Sequence, residues 1–245
     1  MNDETILYLE CHSGISGDMT VAALLDLGAV EQVLRSSLEQ LHGPGYRIEI
    51  SRVMKNSLAA CDFNVILDEK EVHTHRNLYD INQIIDGSGL SESVKTLAKR
   101  IFLIVATAEA TVHGAELEQV HFHEVGAVDS IVDITAAAVC LDNLNIHDVI
   151  LSPLTEGSGM IRCQHGMIPV PVPATAQIAA AHGLTLSPGH VQGELITPTG
   201  AAIAAAIRTR NQLPDAYRIL KIGLGAGKRT YDAPNVLRAM LIQEV

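Results

Sequence analysis

The sequence predicts an α+β fold, a small mixed sheet assembled from N-terminal and C-terminal strands with a helical segment in the middle. Three observations carry that expectation. Residues 5–11, TILYLEC, alternate and are rich in β-formers; residues 91–113 and 128–143 have helical spacing; and RILKIGLGAG (218–227) and VLRAMLIQ (236–243) return to strand character at the far end. With 245 residues and 47% hydrophobic content, the chain can bury a core without disulfide or metal staples. The expected organisation is a single domain over 1–245 with a helical subdomain near 77–145.

Taken in order, TILYLEC reads as a strand and TVAALLDLG (20–28) as a helix closed by glycine, so HSGISGDM between them is a strand-to-helix turn. A second helix, VEQVLRSSLEQL (30–41), ends at HGPG, and YRIEISRV (46–53) and CDFNVIL (61–67) follow as strands, giving β-α-α-β-β for the opening third. The helix at 128–143 is apolar nearly all round and is therefore expected to be buried. After about residue 150 the chain reads as loop-rich, through SPLTEGSGM, HGMIPVPVPATA and GELITPTGAA. Within it, PVPVPA (169–174) is expected to be an extended connector into a helix over 174–182.

Composition excludes several function classes. The net charge is −11, from 17 basic and 28 acidic residues, and no basic run exceeds two, so the electrostatic footprint of a nucleic-acid binder is missing. Cysteines at 11, 61, 140 and 163 form no CxxC pair, and MNDETILYLE lacks a basic stretch followed by an apolar one; together these predict a reduced, cytoplasmic protein without a signal peptide. Apolar runs fall short of the ~20 residues that span a bilayer, so no membrane partner is expected. With 3% aromatic residues and no Trp, base-stacking platforms are not expected either.

Two segments concentrate chemistry. In CHSGISGDM (11–19), Gly14 and Gly17 could let backbone N–H groups meet an anion at a helix mouth, flanked by Ser13 and Ser16; Asp18 would cap the helix, or repel a phosphate unless a cation lay between. Cys11 and His12 are transition-metal ligand types, and the plainer account of the whole stretch is a capped turn. In HFHEVGAVDSIVDI (121–134), His121 and His123 share a face if the chain is extended, Glu124 points away unless the chain turns, and Asp129 and Asp133 share a helix face. Two ionised aspartates on a buried helix need a cation. The plainer alternative has Asp129 answering the helix dipole and Asp133 paired with an arginine.

Three further motifs are weaker. EVHTHRNLYDI carries a second alternate pair, His73 and His75, in polar surroundings without evident strand partners, and reads as a solvated loop. GELITPTGAA places Thr197, Thr199 and the N–H groups around Gly200 at a helix mouth, as an anion seat or with Thr199 as an ordinary N-cap. GLGAGKR (223–229) precedes no helix, so it is no dinucleotide fingerprint; Lys228 and Arg229 could form a basic lip. His113 and His165 each precede glycine and read as element ends.

Taken together and in this order, CHSGISGDM, HTHRNL, HFHEVGAVDSIVDI, HGMIPVPVPAT and ELITPTGAA resemble the nickel-insertion proteins of nickel-pincer nucleotide biosynthesis, and the resemblance covers nearly the whole chain. It implies a lyase-type cyclometallase that inserts Ni(II) into pyridinium-3,5-bisthiocarboxylic acid mononucleotide, using CTP with Mn or Mg, for lactate racemase and related enzymes. It also implies a longer protein whose C-terminal domain, beyond this sequence, handles CTP and promotes homo-oligomers. On this reading His121, His123, Glu124, Asp133, His12, His73 and His75 are the metal-ligand set. Glu124, Asp129 or His123 would take the ring proton, and Ser13, Gly14, Ser16, Gly17, Asp18, Thr197, Thr199 and Gly200 would seat the substrate's phosphate. Competing readings are a nickel metallochaperone without chemistry and a divalent-metal hydrolase.

Overall fold

The structure is a computed structural model and describes residues 5–41, 45–67, 76–122, 128–163 and 166–245, His121 by its backbone alone. The chain opens with strand β1 (Ile6–Glu10), helices α1 (Gly17–Leu27) and α2 (Glu31–Leu38), and strands β2 (Tyr46–Lys55) and β3 (Leu58–Leu67). The middle supplies β4 (Arg76–Asn77), α3 (Leu78–Asp86), α4 (Glu92–His113), β5 (His121–Phe122) and α5 (Val128–Asn143). Short strands β6 (Asp148–Leu151), β7 (Leu154–Ser158), β8 (Met160–Cys163) and β9 (Gly166–Pro169) follow. Then come α6 (Pro173–His182), β10 (Leu186–Gln192), α7 (Pro198–Ile207), β11 (Tyr217–Ala226) and β12 (Val236–Glu244).

The α+β expectation holds. Six strands form one mixed sheet in the order β2-β3-β11-β12-β1-β6. β12 runs antiparallel to β1, with Ile6 opposite Ile242, and β6 runs parallel to β1 on its other side, so the two ends of the chain meet in mid-sheet. β2 and β3 form a hairpin whose tip, Asn56 and Ser57, has both φ angles positive, as a tight two-residue turn requires. Helices α1, α4, α5 and α7 share one continuous core with this sheet. α1 lies directly on β11, because a Cβ on Gly225 would come within 2.0 Å of the Met19 carbonyl oxygen and one on Gly223 within 2.4 Å of that of Ala23. A smaller cluster, Ile6, Tyr8, Ile150, Met240 and Ile242, packs separately from that main core.

Several local expectations need correction. α2 ends at Leu38 rather than Leu41. The loop-rich stretch after residue 150 contains five short strands: β6 completes the main sheet, β10 pairs with β7, and β8 pairs with β9. At four to seven residues each, they are too short to register against the Gly and Pro signals around them. Around HTHRNLYDI, Arg76 pairs with Phe122 and Asn77 with His121, and α3 starts at once behind them. Asn77 and Asp80 cap that helix reciprocally, while Ile81 and Ile85 supply its buried face. His113 closes α4 ahead of a left-handed Gly114, as expected. No helix among the described residues is long and apolar enough to cross a membrane.

Candidate functional site

Three helix starts converge beside the edge of β3. Ser16 caps α1, accepting the Met19 N–H at 3.4 Å, and its hydroxyl donates to the Asp18 carboxylate. Thr197 caps α7, accepting the Gly200 N–H at 3.0 Å, with Pro198 in the first turn. α5 begins at Val128 and presents Asp129 and Ser130 in its first turn and Asp133 one turn further on. Gly17 is where the three touch: a Cβ there would lie 2.8 Å from Asp133 Cβ and Oδ2 and 3.0 Å from Thr199 Cγ2.

The turn before α1 is laced to the chain before α7. The Ile15 N–H donates to the Leu195 carbonyl at 3.1 Å, and the Thr197 N–H donates to the Ile15 carbonyl at 3.2 Å. Gly14 has φ +81° and lies so near Leu195 that a Cβ would be 2.0 Å from its carbonyl oxygen; a Cβ on Gly200 would meet the Ile15 carbonyl oxygen at 2.1 Å. Glu156 on β7, in the stretch expected to be loop, fixes this pairing. Its Oε1 accepts from the N–H groups of Gly157 and Leu195 at 2.8 Å and Ile196 at 3.2 Å, while Oε2 is buried without a partner among the described residues. Burial pushes its carboxyl up, and the three N–H donors oppose that shift.

Between the three helix mouths lies a cavity of about 340 Å³ lined by Asp18, Asp129, Asp133, Ser130, Asn64, Lys228 and the two caps, at the lower end of small-molecule sites. A smaller pocket of about 130 Å³ shares Ser16, Asp18, Glu194, Thr197 and Lys228 with it and adds Arg229, Tyr231 and Asn235. Lys228 Nζ donates to Asp62 Oδ1 at 2.7 Å and to the Phe63 carbonyl at 2.8 Å, and Arg229 Nη1 donates to the Glu194 carbonyl at 3.1 Å. Asn64, Ser130 and Glu194 are not foreseen as site residues, and Lys228 only as part of a basic lip closing GLGAGKR.

The electrostatics are those of three carboxyl groups held together. Burial raises the Asp133 carboxyl well above the usual range, the nearby Asp18 and Asp129 raise it further, and Lys228 and the Asp18 N–H pull it back. Asp18 and Asp129 are raised too, each chiefly by burial. Asp133 accepts the Asp18 N–H, so its fixed partner is main chain and not the arginine that the plainer reading called for. Its Oδ1 is shut off from solvent and has no hydrogen-bond partner among the described residues.

Of the expected residues, Ser16, Gly17, Asp18, Asp129, Asp133, Thr197 and Thr199 therefore meet at one cavity. Others do not reach it. The Ser13 hydroxyl donates to the Pro234 carbonyl at 2.7 Å, Gly14 and Gly200 are pressed against main chain, and the Gly200 N–H is taken by Thr197. His12 is 68% exposed with Nε2 3.8 Å from Glu10 Oε1. Cys11 is wholly buried and its thiol is pushed up to about 12, which disfavours the thiolate a metal needs. The cap of α7 is Thr197 and not Thr199, since Pro198 occupies the first helical position. His73, His75, His123 and Glu124 lie outside the described residues, as does the side chain of His121. The described neighbours of both histidine motifs, Arg76 and Phe122, are partners across the β4–β5 ladder. Among the described residues, no three His, Cys, Asp or Glu side chains are placed to hold a metal ion by themselves.

Residues 7–245 match the sequence model of the family described as nickel insertion protein. The chain belongs to that family. A pyridinium-3,5-bisthiocarboxylic acid mononucleotide nickel insertion protein of Alkaliphilus metalliredigens (strain QYMF) is 54% identical to this nickel insertion family member, over 97% of this chain and 60% of that protein. Proteins of the same name from Geobacillus kaustophilus (strain HTA426) and Acetivibrio thermocellus are 45% and 43% identical, covering 98% and 96% of this chain and 60% of each relative. The chain thus spans about 60% of the length of the curated relatives it matches. No solved structure matches this family member.

Proposed function

We propose that this chain serves the insertion of nickel into pyridinium-3,5-bisthiocarboxylic acid mononucleotide, the substrate in the names of its relatives, as part of a lyase-type cyclometallase acting in the cytoplasm. The observation that supports it most is the cavity where the CHSGISGD, VDSIVD and ITPTG segments meet, which offers an anion seat and buried carboxylates at one place. With the Asp18, Met19 and Gly200 N–H groups already engaged, Gly17 and Thr199 are the donors that α1 and α7 can turn to a phosphate. Nickel, the cargo, suits the imidazoles of His121 and His123 with Glu124, a set able to bind and release it, with His73 and His75 as its point of entry. When the ring C–H bond gives way to carbon–nickel, the proton passes to a carboxylate or imidazole. Asp129 is the acceptor that the cavity supplies, and Glu124 and His123 are the alternatives from the adjoining motif.

The reading extends to the whole protein: a CTP-using C-terminal domain or subunit with Mn or Mg, homo-oligomers, and a product destined for lactate racemase-type enzymes. Calorimetric titration with Ni(II) tests its first step. His121→Ala with His123→Ala is expected to weaken binding well beyond His73→Ala with His75→Ala; equal losses point instead to a loop chelator and sink the reading. The thiocarboxylated mononucleotide is expected to protect amides in 12–18 and 197–201 from hydrogen exchange, which a chaperone that never meets the substrate does not show.

A further inference from the structure

The cavity holds a contradiction. The starts of α1 and α7 and the Lys228 ammonium suit an anion, whereas Asp18, Asp129 and Asp133 repel one. Asp133, which lines the cavity, sharpens it, because its Oδ1 is out of contact with solvent and without a hydrogen-bond partner among the described residues. A buried carboxylate oxygen left in that state calls for a cation. Lys228 does not fill the role, since its Nζ is already held by Asp62 and the Phe63 carbonyl. Carboxylates, with hydroxyls from Ser16, Ser130 and Thr197 beside them, suit a hard ion rather than nickel. The lack of any ready-made three-ligand cage among the described residues fits an ion of the Mg2+ class, which binds through one or two carboxylates, keeps several waters and completes its shell with substrate phosphate.

We propose that Asp133 and Asp18 hold a hydrated divalent cation of the Mg2+/Mn2+ class, and that this cation bridges them to the phosphate of a pyridinium mononucleotide lying between Lys228 and Arg229. The cation seat rests on the cavity; the identity of the phosphate carrier rests on the function proposed above. The three carboxylates then bind the anion instead of repelling it, and the nickel to be inserted occupies a different, imidazole-bearing position.

The test uses the metal-free chain, Mn2+ and nicotinic acid mononucleotide, a pyridinium mononucleotide with a 5′-phosphate, in calorimetric titrations. Mn2+ is expected to tighten the mononucleotide about tenfold or more, and the mononucleotide to tighten Mn2+ by the same factor, because such coupling is reciprocal. Asp133→Asn abolishes the coupling, and Lys228→Met weakens the mononucleotide in the presence of Mn2+. Mononucleotide affinity that ignores Mn2+, or coupling that survives Asp133→Asn, overturns the proposal. Should Asp133→Asn fail to fold, Asp18→Asn is read the same way, and the wild-type titrations alone still decide whether coupling exists. Parallel Ni(II) titrations separate the two ideas. Nickel binding without Mn2+ coupling removes the cation seat and leaves nickel insertion standing, while coupling without nickel binding does the reverse.

Discussion

Asp133 is the residue at which folding and function pull hardest against each other. Its buried carboxyl accepts one main-chain N–H and faces Asp18 and Asp129, so ionising it without a cation strains the fold. Asp133→Asn is therefore expected to stabilise the metal-free chain at neutral pH by about 1–3 kcal/mol, seen as a higher urea midpoint. A carboxyl raised in the folded state binds more protons there than in the unfolded chain, so its contribution falls as pH rises from the ordinary carboxyl range near 4 through the folded value. The metal-free wild type should lose stability along that path, and Asp133→Asn should flatten the slope; an unchanged slope shows that these aspartates do not set it. Glu156 is a scaffold residue by comparison. Glu156→Ala leaves three N–H groups without their acceptor and should destabilise by about 3 kcal/mol or more, whereas Glu156→Gln, which keeps an acceptor oxygen, should be far milder. The aspartates could be picked out of the sequence because each lies in a compact motif beside glycine or on one helix face. Asn64 and Glu194 could not, and Lys228 only as a basic lip without an address, because they reach the cavity from segments whose meeting is decided by tertiary packing.

At the scale of elements, the long helices and the terminal strands were legible because their period persists over many residues and glycine or serine marks their ends. The short strands β6 to β10 were not, since four to seven residues carry too little pattern against neighbouring Gly and Pro. α3 was legible only as part of a helical region from about 77 and not as a helix of its own, for a different reason: Asn77 and Asp80 looked like loop polarity, and only the reciprocal cap shows them to be a helix start. The start of α7 gives a clean contrast. Thr197→Ala removes the acceptor of the Gly200 N–H and should lower stability by about 1 kcal/mol, and Thr199→Ala should cost less in stability while still weakening a bound mononucleotide. Comparable losses of stability for both would put the cap where the sequence first suggested it. Gly17→Ala drives a methyl into Asp133 and Thr199 from a third helix, and the displaced neighbours should weaken the fold by about 1–3 kcal/mol and close the cavity to ligand. Thermal melts and mononucleotide titrations of that variant read both effects.

Across the whole molecule, the sheet was legible as a class but not as an order: nothing local in TILYLEC says that its neighbours are strands more than a hundred residues away on either side of it. That arrangement bears on how the protein is made. The strand laid down first has to wait for β6 and then, more than two hundred residues on, for β12, and the glycine floor under α1 belongs to β11. A ribosome therefore has to release β11 and β12 before the pocket can exist, and connectivity of this kind favours refolding in milliseconds to seconds rather than microseconds. Stopped-flow refolding followed by mononucleotide capture should find binding competence arriving with the slowest phase. Helices α4 and α5, whose neighbours lie close in sequence, can gather earlier and leave the carboxylates of α5 waiting, still wet and unopposed, for the last strands to shut them in.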